Sequence, residues 1–258
     1  MDSIYGNTEV AMCAADGADA YTGLCALTHA NDASQEMADC GEGVRLMISR
    51  PPESYISNSK WSTRAWTIQE RLLSRRCLIF IEGRVYFLCR STGMSEDIYT
   101  DREAAGWSLD LVDALMQMFK QISERPLWVY TNVIRLYSAR EPTYAKDILA
   151  AFSCTTNSME EQMRAPFVFG LPSSPFDLAL LCQHGDGVER REPLNDQEKK
   201  NYAGLRLPTW SWMGWEGLPT SYTADLLGNS LQKPCEWLEK YTWIWWYVRD
   251  GKGDLRPL

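Results

Sequence analysis

The sequence predicts a mixed α/β chain, and three observations carry that expectation. Residues 10–15, Val-Ala-Met-Cys-Ala-Ala, form a short apolar run closed by Asp16-Gly17-Ala18-Asp19, as a buried strand running into a turn would be. Two β-rich runs, residues 77–81 and 84–89, flank Glu82-Gly83, a strong hairpin signal. Apolar residues then recur at helical spacing: Leu109, Val112, Leu115, Met116 and Phe119, followed by Leu127, Tyr130, Ile134 and Tyr137.

Residues 1–7 read as the last turn of a helix. Residues 28–43 are small and polar, contain Gly41 and Gly43, and read as a long surface loop. In residues 61–74 a short helix is expected. There Thr67-x-x-Glu70 fits a capping box, in which hydroxyl and carboxylate satisfy amides at the helix start, and Ile68 and Leu72 fall one turn apart. Pro126 suits the first turn of a helix, and Ile148-Leu149-Ala150-Ala151-Phe152 lies on another. Residues 185–197 are charged and loop-like. The tail is aromatic and β-rich: residues 209–212 alternate, and residues 241–248 are β-branched and aromatic. Seven of the 11 Trp fall between Trp210 and Trp246, so this segment is expected to pack densely as core.

Hydrophobic residues make up 45% of the 258 and charged residues 23%, which excludes wholesale disorder. The net charge of −8 is unevenly placed. Residues 1–44 carry eight acids and no Lys or Arg, so the remainder is balanced. With no basic stripe to neutralise phosphates, nucleic-acid binding is not expected. No run approaches the roughly 20 apolar residues of a membrane span. No signal peptide and no Asn-x-Ser/Thr acceptor is visible. The eight cysteines lack a Cys-x-x-Cys pair and read as buried thiols in a reducing compartment. A cytoplasmic protein is the expectation.

Several blocks, in order, resemble the heterokaryon incompatibility (HET) family. They are Met1-Asp2-Ser3-Ile4-Tyr5; residues 10–15 with the Asp/Ala/Gly-rich stretch ending in Gly23-Leu24; and Arg64-x-Trp66-Thr67-x-Gln69-Glu70 with Leu73-Ser74 and Arg76. Further on come Tyr137-Ser138-x-Arg140-x-x-Thr143-Tyr144-x-x-Asp147-x-Leu149-x-Ala151-Phe152, Gly170-Leu171-Pro172, residues 177–181, and Pro208-Thr209-Trp210-Ser211-Trp212-x-Gly214-Trp215-x-Gly217, blocks that resemble the region downstream of HET domains. Two motifs with which the family's domain opens do not occur. Cys25 stands where Pro is usual and Pro142 where Leu is usual. The expectation is therefore a partial HET domain over residues 1–75, a truncated flavodoxin-like or TIR-like remnant. Residues 76–258 would follow as hairpin, helical middle and aromatic β-rich tail.

The resemblance implies a function in fungal non-self recognition and programmed cell death, acting mainly through interactions with a protein partner that the sequence does not identify. It also implies an alternative, a TIR-like NAD glycohydrolase, so whether the chain is an enzyme stays open. In that alternative Glu70 stabilises the positive charge of an oxocarbenium-like transition state and Trp66 offers a stacking surface. Asp16 and Asp19 would line the mouth of the sheet. NAD enters only as substrate, and no cofactor or metal is expected. Against catalysis, the capping box already accounts for Glu70, and solvated turns account for Asp16 and Asp19. His29 and His184 stand in polar stretches without partner spacing and read as surface residues.

Overall fold

A computed structural model describes residues 2–17, 19, 21–28, 37–47, 52–90, 92–96, 118–140, 142, 147–191, 207–217, 220–222, 236–249 and 252–258. The protein is mixed α/β and divides into two compact units, Met1–Lys120 and Gln121–Leu258.

The first unit contains, in order, α1 (Asp2–Asn7), β1 (Ala11–Ala14), α2 (Cys25–Thr28), β2 (Met37–Asp39), β3 (Arg45–Met47), α3 (Pro52–Ser57), α4 (Lys60–Thr63), α5 (Thr67–Leu73), β4 (Arg76–Ile81), β5 (Arg84–Cys89) and β6 (Gly93–Ser95). Four strands form one sheet in the order β1-β4-β5-β6. β1 runs parallel to β4, with Ala11 opposite Cys77 and Cys13 opposite Ile79, and the remaining pairs are antiparallel. The hairpin read from residues 77–89 is present. Glu82 (φ 50°) and Gly83 (φ 70°) both take the left-handed backbone that a two-residue hairpin turn requires.

Strand alternation decides what this sheet buries. Ala11, Cys13 and Ala15 from the β1 segment, Cys77, Ile79 and Ile81 from β4, and Tyr86 and Leu88 from β5 pack with Ile56 of α3 and Trp61 of α4. The β1 residues between, Met12 and Ala14, point to solvent. Ile68 and Leu72 lie one turn apart on α5, and both are buried as their spacing implies.

One expectation changes. Within residues 28–43, read as a long loop, Met37–Asp39 pairs antiparallel with Arg45–Met47. Gly41, Glu42 and Gly43 at positive φ close the turn, and the Asp39 carboxylate accepts the Gly41 N–H at 3.2 Å. The glycines that suggested a loop are those of a tight turn. Residues 29–36 lie outside the described residues.

The second unit contains α6 (Pro126–Ser138), α7 (Asp147–Met163), β7 (Phe167–Val168), β8 (Leu171–Pro172), α8 (Phe176–Ala179), β9 (Glu189–Arg190), β10 (Trp215–Glu216), α9 (Trp237–Lys240), β11 (Tyr247–Arg249) and β12 (Leu255–Pro257). Pro126 opens α6 at the position where its missing N–H costs nothing. Leu127, Tyr130, Ile134 and Tyr137 are all buried. The helical stretch read over Leu109, Val112, Leu115 and Met116 falls outside the described residues.

The tail departs from the strands expected of it. Residues 209–212 are not a strand: the Ser211 hydroxyl accepts the Met213 N–H at 3.1 Å and turns Trp212–Gly214 into a 3-10 helix. Trp212 is fully buried, its ring 4.9 Å from Phe152 and 5.7 Å from Tyr137 in edge-to-face contacts. Residues 242–246 precede the ladder formed by β11 and β12, and Trp243 and Trp245 stand 94% and 82% exposed. Aromatic packing therefore covers Trp212 and reaches Trp246, whose ring lies 5.0 Å from Phe176, but it leaves Trp243 and Trp245 bare.

Among the described residues no helix is long and apolar enough to cross a membrane. Cys13, Cys77 and Cys154 are buried thiols, while Cys40 is exposed.

Candidate functional site

The best-supported candidate lies on α5 and the elements against it. Trp66 takes the N-cap position with a helical backbone (φ −72°, ψ −25°) and makes no side-chain cap bond, so the helix starts one residue earlier than a Thr67 cap would require. The Thr67 hydroxyl donates to the carbonyls of Trp61 (2.9 Å) and Arg64 (2.8 Å). It ties the preceding turn to α5, with Thr67 inside the helix and not at its cap. The capping-box account of Glu70 is thereby corrected.

Glu70 spends its carboxylate elsewhere. Its Oε2 accepts the Trp61 indole N–H at 3.1 Å, and the Tyr5 phenol of α1 stands close enough to feel its charge. Burial, together with the Glu70 charge, pushes the Tyr5 phenol above its ordinary pKa. One aromatic donor, Trp61, thus holds the half-buried Glu70 carboxylate, with the Tyr5 phenol beside it. Trp66 is also half-buried and sits one turn before Glu70, on the same helix face.

Beneath this constellation runs a buried polar chain. Arg71, on the next position of α5, is almost wholly buried and forks onto Glu53 of α3. Burial opposes its charge, but the Glu53 carboxylate outweighs that and keeps the guanidinium ionised. Cys13 and Cys77 lie on the adjacent strands β1 and β4. The Cys13 thiol is pushed up by its hydrogen bond to Cys77 and by burial, and the same bond, helped by Arg71, holds Cys77 down.

The two aspartates are placed differently. Asp16 follows β1, where the Ala15 N–H still reaches the Phe80 carbonyl at 2.8 Å. Its carboxylate accepts the N–H groups of Glu82 and Gly83 and so braces the hairpin turn between β4 and β5. Asp19 accepts the Tyr21 N–H at 2.8 Å and the Thr22 hydroxyl at 3.2 Å, which together lower its pKa. Trp66 and Glu70 thus share a helix face, while Asp16 is engaged by a turn and Asp19 by its own loop.

His184 is half-buried, and so not the solvated residue expected. Its Nδ1 lies 3.2 Å from the Thr220 hydroxyl, its ring packs 5.4 Å from Trp215, and burial lowers its pKa. His29 lies outside the described residues. No group of three or more His, Cys, Asp or Glu side chains is placed to hold a metal ion among the described residues.

Sequence reasoning passed over Trp61 and Tyr5 as partners of Glu70. Tyr5 stood in a block that resembles the family, yet nothing in its spacing signals a contact 65 residues away.

Residues 1–70 match the family model described as heterokaryon incompatibility protein (HET), the match ending on Glu70 itself. Neither the curated proteins nor the solved structures contain a match to the chain.

Proposed function

From the match of residues 1–70 to the heterokaryon incompatibility (HET) family model we propose that the protein is a HET-family member that works in fungal non-self recognition leading to programmed cell death, acting in the cytoplasm mainly through protein–protein interactions. The observation that carries the interaction reading is the aromatic row at the end of the chain. Tyr241, Trp243, Ile244, Trp245 and Tyr247 are all exposed, and a concentration of large apolar side chains at the surface is what a partner-binding segment presents. Tryptophan and tyrosine are the residues most often found as energetic anchors in interfaces.

A second reading, a TIR-like NAD glycohydrolase, is favoured by one specific observation. Glu70 is not consumed as a helix cap: its carboxylate accepts the Trp61 indole N–H, which fixes its orientation, with the Tyr5 phenol beside it. A carboxylate so held can face the positive charge that develops as the nicotinamide–ribose bond breaks.

Incubating the purified chain with NAD separates the two. The interaction reading expects no nicotinamide above a buffer control. Release that is lost in Glu70→Gln, with the melting temperature kept, would establish the second reading and overturn the first as the main activity.

A further inference from the structure

The second unit holds a cavity of about 340 Å³ that the HET reading does not use. One wall is a stripe of α7. Leu149, Ser153, Thr156 and Glu160 recur at i, i+4, i+7 and i+11, so they share one helix face. The opposite wall is the β7–β8 hairpin, through Phe167, Phe169 and Gly170, with the buried Phe152 ring and Met213 behind. Ala150 and Ser153, both exposed, lie where it opens to solvent.

The turn of this hairpin is strained in a way that shapes the wall. Phe169 adopts φ 47° and Gly170 φ 77°. A bulky residue is a rare occupant of the left-handed region, and such strain persists only where the surroundings over-determine it. The surroundings here are tight. A Cβ on Gly170 would meet Met213 at 2.6 Å and Trp212 at 3.1 Å, and the Gly170 carbonyl accepts both the Tyr130 phenol (2.9 Å) and the Trp212 indole (3.3 Å). The Phe169 ring is in turn held edge-on by Trp210.

The polar groups on the cavity wall all present the same chemistry. The Ser153 hydroxyl donates its proton to the Ala150 carbonyl, and the Thr156 hydroxyl donates to the Ser153 carbonyl, each at 2.8 Å. What these hydroxyls turn outward are lone pairs. Glu160 accepts the Phe167 N–H through Oε1 at 3.2 Å and, as a carboxylate, keeps further acceptor sites on its two oxygens. Among the lining residues Glu160 is the charged one. A ligand must therefore supply donors and positive charge to the helix wall and an apolar body to the three phenylalanines and Met213. Aromatic faces also attract cations, which adds to the preference. The volume equals about eleven liquid-water volumes at roughly 30 Å³ each, enough for one ring with a short chain.

We propose that this cavity is a binding site for a small organic ammonium compound with an apolar or aromatic body, its –NH₃⁺ group directed at Glu160, Thr156 and Ser153. The site lies wholly within the second unit and does not depend on Glu70, so its failure and the failure of the HET reading are separate events.

The test uses the full 258-residue chain titrated at pH 7 with phenethylammonium, with 2-phenylethanol as neutral counterpart and 3-phenylpropanoate as anionic one. Binding is read by calorimetry. The amine is expected to bind saturably and at least tenfold more tightly than the alcohol, with the carboxylate not binding. Glu160→Gln keeps an acceptor for the Phe167 N–H but removes the charge, and should weaken the amine at least tenfold without changing the alcohol. Ala150→Trp, at an exposed helix position, should block both the amine and the alcohol while leaving the melting temperature within a few degrees. Absence of saturable amine binding to the folded chain overturns the proposal. So does equal affinity for amine and alcohol, or amine binding unaffected by both variants.

Discussion

At the scale of single residues, the structure separates two roles that one sequence pattern had merged. Thr67-x-x-Glu70 satisfies the spacing of a capping box, but Trp66 is already helical, and this shifts Thr67 into the helix. Its hydroxyl then turns back to two carbonyls and leaves Glu70 to Trp61 and Tyr5. A pattern of four residues cannot report whether the residue before it is helical, which is why the cap was legible and wrong. Thr67→Ala should cost about 1–2 kcal/mol, since the buried donor is lost and two carbonyls lose a partner. Glu70→Gln should cost less than about 1 kcal/mol, because the amide oxygen can still accept the Trp61 indole. Urea melts of the two variants check this order, and a larger loss in Glu70→Gln would mean that the charge itself stabilises the fold. His184 gives a pH signature. Its folded pKa lies below the unfolded value, so stability is fully present above the unfolded pKa near 6.5 and is lost as pH falls through the folded value. Between pH 7 and 5 the melting temperature should fall less in His184→Gln than in the parent. Equal slopes would show that the imidazole stays solvated.

At the scale of elements, the β4–β5 hairpin was fully legible because its evidence is local: two alternating runs and a Glu-Gly turn. Its brace was not. Asp16 is 66 residues from Glu82 in the chain, and only the parallel pairing of β1 with β4 brings them together. Asp16→Ala should destabilise the first unit by about 1–3 kcal/mol by leaving the turn amides without their acceptor, and Asp16→Asn should recover most of this. A silent Asp16→Ala would return that carboxylate to the list of candidate ligand groups. The aromatic tail shows the opposite failure. Alternation of Trp residues says which share a face but not whether anything covers it. Trp212 is covered by Tyr137 and Phe152, whereas Trp243 and Trp245 are bare. Trp212→Ala should cost about 3–5 kcal/mol and sharply lower the melting temperature. Trp243→Ser with Trp245→Ser should leave it unchanged. Equal losses would mean that the exposed pair is packed in solution.

At the scale of the whole molecule, the family match and the structural unit have different ends. The match stops at Glu70, but the sheet to which β1 belongs is completed by β4, β5 and β6, from Arg76 to Ser95. A boundary at residue 75, drawn from motifs, follows the family signal and not the strand pairing. The remaining features divide between two surfaces in separate units: the held carboxylate of Glu70 in Met1–Lys120, and the exposed aromatic row in Gln121–Leu258. The interaction reading assigns function to the second. The measurement that tests it most directly is growth of a fungal host expressing the parent chain, the Trp243→Ser/Trp245→Ser chain, or Glu70→Gln, at matched protein levels. The account predicts growth arrest by the parent and by Glu70→Gln, and normal growth with the doubly substituted chain. Arrest that survives loss of both tryptophans but disappears with Glu70→Gln, or no arrest by the parent, would contradict it.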